Sequence, residues 1–107
     1  HLTIINDSKS TSIASSENLL KNLKNVYWIL CGIPKKGDKF NLTKFQCKYF
    51  KGYIFGKHQI EFSKNLKNKL TIKKFKNLKD TLNQIFLEIK YNKDEKNTIL
   101  YIINYNS

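Results

Sequence analysis

Apolar runs alternate with segments of helical period along the chain, the rhythm of an α/β layer fold. Leu2 to Asn6 reads as a first strand. After a polar turn, Ile13, Leu20 and Leu23 share one face of a helix that Thr11 or Ser12 can cap and that ends near Asn25. Val26-Tyr27-Trp28-Ile29-Leu30-Cys31 is apolar on both faces, which places it in the middle of a covered, parallel sheet. The loop from Gly32 to Asp38 holds the only proline and leaves the carboxyl end of that strand, the end at which open α/β sheets bind ligands.

A short helix around Asn41 to Tyr49 comes next, then a glycine-bounded strand from Gly52 to Gly56, a modest helix from Gln59 to Asn68 and a short strand from Leu70 to Ile72. Leu78, Leu82, Ile85 and Ile89 fall at helical spacing with Phe86 beside them, giving the best amphipathic helix in the chain. A charged turn from Tyr91 to Asn97 leads to a last strand, Thr98 to Ile103. Helices between strands favour parallel pairing, because parallel neighbours need crossover connections. The expectation is one three-layer Rossmann-like α/β domain over residues 1–107, with a mostly parallel sheet flanked by helices.

Composition alters this picture in three places. The chain opens on His1, lacks methionine and begins within a strand, so it reads as a piece of something longer. No run approaches the roughly 18 apolar residues of a membrane span, and Cys31 and Cys47 lie outside any metal-ligand spacing. Reduced thiols, with Cys31 buried at a strand end, and a cytoplasmic setting without membrane partners follow. The formal charge of +12 raises nucleic acid as a partner, yet all twenty basic residues are lysine and none is the arginine that suits phosphates and guanine edges. With thirteen asparagines and a single alanine, the skew reads as an A+T-rich coding bias and weighs against nucleic acid.

Catalytic constellations are scarce. There is no GxxxxGK[ST] loop, no GxGxxG and no metal-ligand cluster, and His58 reads as a solvated turn residue. Two segments carry more. Ile5-Asn6-Asp7-Ser8-Lys9-Ser10-Thr11-Ser12, continued by Ile13-Ala14-Ser15-Ser16-Glu17, and the strand and loop from Trp28 to Asp38 resemble the carboxy-terminal domain of the Mur ligases. The likeness is nearest to the member that adds D-glutamate to UDP-N-acetylmuramoyl-L-alanine in peptidoglycan synthesis.

That resemblance implies a domain that brings in an amino acid and closes over a nucleotide, while ATP and Mg bind to other domains of the parent ligase. A single such domain would bind no cofactor alone and would catalyse nothing alone. By the match, Asp7 approaches the nucleotide ribose and Lys9 the phosphate oxygens or the acyl phosphate when the domains close. Thr11 donates to one glutamate carboxylate, Lys35 neutralises the other, and Lys36 is the alternative to Lys35. These residue types suit the roles: a carboxylate accepts from sugar hydroxyls, and a lysine is a point cation for phosphate. The same residues also have plainer uses, with Asp7 and Ser8 as turn formers, Thr11 or Ser12 as an N-cap, and Lys35 and Lys36 as solvated charges.

The ending departs from the family pattern. Where relatives carry a segment like Ser-Pro-Ala-Ser-Ala-Ser-Phe-Asp, this chain has Tyr101 to Ser107, and only Ser107 falls on a family serine that holds glutamate. Bulky Ile103 and Tyr105 replace the small residues that let that loop turn around a ligand. Two other readings stand beside the ligase domain: a basic module for nucleic acid or an acidic partner, and a structural remnant without a ligand.

Overall fold

The apolar runs become five strands, β1 (Leu2–Asn6), β2 (Val26–Gly32), β3 (Phe50–Phe55), β4 (Thr71–Phe75) and β5 (Asn97–Asn104). Among the described residues three helices accompany them, α1 (Glu17–Leu20), α2 (Gln59–Leu66) and α3 (Leu78–Tyr91). This computed structural model describes residues 2–7, 13, 16–33, 36–37, 39–92 and 95–104. The strands form one sheet in the order β1-β5-β2-β3-β4, and every pairing is parallel. The expected three-layer α/β architecture is what the chain adopts.

β2 sits at the centre for the reason its sequence gives. Val26 to Cys31 are all buried, so both faces of the strand must be covered. Val26, Trp28 and Leu30 pack with Leu20, Phe62 and Leu66 on the face under α1 and α2. Tyr27 and Ile29 pack with Tyr53, Ile99 and Ile85 on the face under α3. Asn25 makes the turn into β2 with φ of 53°, a left-handed conformation that asparagine tolerates, and its side chain donates to the Lys96 carbonyl at 3.2 Å.

α3 starts and stops where its side chains dictate. Asn77 caps it by accepting the Asp80 N–H at 2.8 Å, and Asp80 places a negative charge on the first turn. Past its end, the buried Asn97 donates to the carbonyls of Asn92 and Glu95, both at 3.0 Å, and so fixes the turn into β5.

Three local expectations change. α1 is one turn long, with turns continuing to Leu23; Ile13 and Leu20 are buried together as the pattern requires, while the proposed caps Thr11 and Ser12 lie outside the described residues. Residues 44–49 form consecutive turns and not a regular helix. Phe40, Leu42, Cys47 and Phe50 are all buried at spacings that no single helix face can satisfy. Strand and helix bounds also shift: β3 starts at Phe50 and runs through Gly52, α2 stops at Leu66, and β4 runs on to Phe75. As an edge strand, β4 carries exposed and half-buried lysines that a central strand could not.

The turns at 43–49 are tied by a reciprocal pair. The Thr43 N–H donates to Gln46 Oε1 at 2.8 Å and the Gln46 N–H donates to Thr43 Oγ1 at 3.2 Å, the capping-box arrangement. Thr43→Ala is expected to destabilise the chain by about 1 kcal/mol, measured as a lower urea midpoint with unchanged slope.

Candidate functional site

At the carboxyl edge of the sheet, β1 ends and Asp7 follows it directly. Its N–H donates to the Tyr101 carbonyl at 2.9 Å, which extends the β1–β5 ladder by one bond and fixes the direction in which the chain leaves. The Asp7 carboxylate accepts from the hydroxyl of Ser16 at 3.4 Å, a long hydrogen bond. Ser16 is fully buried at the start of α1. A carboxylate is thus held at a strand end by groups from β5 and α1, on the edge where parallel sheets take ligands.

The second expected element leaves β2 on the same edge. Gly32 with φ of 93° and Gly37 with φ of 78° adopt the left-handed region, and Lys36 lies exposed in the turn between them. β5 lies between β1 and β2, and Asn6 is level with Ile29 across Tyr101, three residues short of Gly32, so the strand ends that launch Asp7 and Lys36 are roughly 14 Å apart. Asp7 and Lys36 therefore share one edge. Lys9, Thr11, Lys35 and Ser107 lie outside the described residues.

Cys31 closes β2 at this edge and is 7 % exposed. Burial pushes its thiol up, and a hydrogen bond with the Tyr101 side chain offsets part of that rise. Raised thiols are poor nucleophiles, so Cys31 is a packing residue. Both cysteines are unpaired. β5 does not turn after Leu100 but continues through Asn104, with Tyr101 to Asn104 in register with Ile29 to Gly32.

Away from this edge, the face under α3 carries a polar group that sequence reading missed. Glu88 on α3 accepts from Tyr53 Oη at 2.8 Å and Gln84 Nε2 at 3.1 Å, and pairs with Lys51 at 3.3 Å and Lys73 at 3.2 Å. Burial alone would raise the Glu88 carboxyl, but the Tyr53, Gln84, Lys73 and Lys51 contacts outweigh it and hold the group below its ordinary range. Burial, and then the hydrogen bond and charge of Glu88, push the Tyr53 hydroxyl far up. Its partners come from β3, β4 and α3, so it reads as a clamp between helix and sheet. A Lys-x-Tyr pair on one strand gives no sign of it until the acid on a distant helix is in place.

Among the described residues no group of three His, Cys, Asp or Glu side chains could hold a metal ion. No helix among them is long and apolar enough to cross a membrane. No protein-family model matches the chain. It does match several curated proteins named "UDP-N-acetylmuramoylalanine--D-glutamate ligase". One from Wolbachia sp. subsp. Brugia malayi (strain TRS) is 33% identical over 100 residues, which is 94% of this chain and 20% of that protein. One from Wolbachia pipientis wMel is 34% identical over 96 residues, 90% of this chain and 19% of that protein. One from Buchnera aphidicola subsp. Schizaphis graminum (strain Sg) is 42% identical over 76 residues, 64% of this chain and 17% of that protein. The chain thus spans a fifth or less of the length of these relatives, and the match falls in their carboxy-terminal portion.

Proposed function

This chain belongs to the Mur ligases, matching the carboxy-terminal portion of the UDP-N-acetylmuramoylalanine:D-glutamate ligases, and from that premise we propose that it is their amino-acid-binding and nucleotide-closing part. The observation that carries the reading is Asp7, set at the carboxyl edge by the Tyr101 carbonyl and the Ser16 hydroxyl. A carboxylate there suits the hydroxyls of a ribose. The sequence has no GxxxxGK[ST] phosphate loop, so ATP and Mg would rest on the rest of the ligase.

In this reading Lys9 meets the phosphates as the domains close, and ATP-driven amide bond formation in peptidoglycan synthesis belongs to the whole cytoplasmic enzyme. Thr11 holds one carboxylate of D-glutamate, and Lys35, or Lys36 in its place, neutralises the other. Lys36 has the exposure that role needs. The partners are the remaining domains of the ligase and its UDP-N-acetylmuramoyl-L-alanine substrate. The continued β5 occupies the stretch where relatives would turn around the glutamate side chain, so Ser107 alone represents that half of the pocket and binding is expected to be weak.

Titrating D-glutamate into the isotope-labelled chain is expected to move the NMR signals of Thr11 and of Lys35, or Lys36 in its place, at millimolar ligand. L-Glutamate should move them less. Signals that stay in place with D-glutamate would identify a structural remnant and sink the binding role.

A further inference from the structure

The opposite, amino-terminal edge of the sheet carries two adjoining cavities lined by lysine. One of about 690 Å³ is bordered by Lys44, Lys48, Lys67 and Lys69, and one of about 440 Å³ by Lys21, Lys24 and Lys48. They share Lys48 and Phe50 and so run together as one groove beside the starts of β3 and β4. None of the described acids lines either cavity. Glu17, whose charge reaches Cys47 in the groove wall, accepts the Asn41 N–H; Glu61 pairs with His58 and Glu88 with Lys51 and Lys73.

Aromatic rings lie among these cations. Phe45 is 74 % exposed and Tyr49 44 % exposed. The Lys48 ammonium lies 4.3 Å from the Phe45 ring and 5.1 Å from that of Tyr49, with Lys24 5.8 Å from Tyr49. Exposed rings set beside a cationic track are the pairing by which single strands are held: lysines follow the phosphates and rings stack on unpaired bases. We propose that this groove binds single-stranded nucleic acid, with Lys44, Lys48 and Lys67 on the backbone and Phe45 and Tyr49 under the bases.

The lysine-rich composition by itself pointed elsewhere, since coding bias scatters lysine over any surface. What composition cannot show is one groove where lysines and exposed rings coincide and which none of the described acids lines, Glu95 bordering the next cavity along the same edge. The absence of arginine shapes the expectation: without its planar fork the groove reads charge and stacking and not base edges, so binding is independent of sequence. A duplex, whose bases are already stacked, should bind less well.

The test is fluorescence anisotropy of the whole chain with a labelled oligothymidylate of about 15 nucleotides and with a duplex of equal length. Binding is expected to prefer the single strand and to weaken steeply between about 50 and 200 mM salt. The triple variant Lys44→Glu/Lys48→Glu/Lys67→Glu should lose at least tenfold more affinity than Lys57→Glu/Lys76→Glu/Lys79→Glu, which changes charge equally at the other edge. Phe45→Ala should cost about tenfold. Circular dichroism confirms that each variant keeps its fold. Equal losses in the two triple variants would reduce the effect to diffuse charge and overturn the proposal. So would an unchanged Phe45→Ala affinity accompanied by binding to phosphatidylserine vesicles through the same lysines, which would make the groove a lipid-surface contact.

Discussion

Trp28→Ala is expected to lower the unfolding free energy by about 3–5 kcal/mol and the melting temperature by roughly 15 °C or more. Trp28 is fully buried on the central strand, flanked in register by Leu100 and Gly52, and its ring lies 5.4 Å from that of Phe40 at 38°. Truncation empties the middle of the layer under α1 and α2, where the clustered residues come from several strands, both helices and the segment around Phe40 and cannot all collapse inward. Against the roughly 5–15 kcal/mol that holds a domain together, that loss is large. Trp28→Phe should cost much less, under about 2 kcal/mol. The Trp28 indole N–H has no hydrogen-bond partner among the described residues, so the smaller ring also removes a buried, unpaired donor. Urea melts followed by far-ultraviolet circular dichroism measure both variants, and equal costs for the two would show that the emptied space does not set the loss.

The contrast between legible and illegible parts of the fold follows from how many elements each part needs. β2 and β5 were readable because unbroken apolar runs have one use in an α/β sheet, and α3 because its apolar positions repeat within the helix itself. Segment 41–49 has the local pattern of a helix, but its buried residues are selected by partners elsewhere: Phe40 by Trp28, Phe50 by the start of β3. Gly52 reads as a strand boundary in the sequence, yet it lies inside β3, where an added Cβ would come within 3.3 Å of the Leu70 side chain. The glycine marks a close neighbour, and nothing local to it distinguishes that from a turn.

At the site the same division holds. Asp7 at a strand end was visible from the strand that precedes it, and the structure adds what holds it, Ser16 and the Tyr101 carbonyl, which lie nine and 94 residues away along the chain. The loop lysine was visible as a charge beside glycines, and only its place on the same edge as Asp7 required the strand order, since β5 is the last strand in sequence and the one between them in space. The amino-edge groove was invisible for the same reason: Lys24, Lys48 and Lys67 come from three separate connections.

Glu88→Leu is expected to destabilise the chain by about 2–3 kcal/mol at neutral pH. The Glu88 side chain is 15 % exposed, and the lysines it meets are 47 % and 40 % exposed. Those lysines can return to water when the acid is gone, so the two ion pairs contribute modestly and the cost falls chiefly on Tyr53, which is fully buried and loses the 2.8 Å acceptor for its hydroxyl. Tyr53→Phe in the Glu88→Leu background should therefore recover stability, and a double-mutant cycle should give a coupling of about 1 kcal/mol or more. The pH dependence has a definite sign. A carboxyl held below its ordinary value of 4.5 contributes fully above that pH and loses its contribution as pH falls through its own lower value. The parent chain and Glu88→Gln should thus differ most above about pH 4.5 and converge in stronger acid, where Glu88 is itself protonated. Stability curves that stay parallel through this range would mean that the charge of Glu88 contributes nothing and that the clamp works through the hydrogen bond to Tyr53 alone.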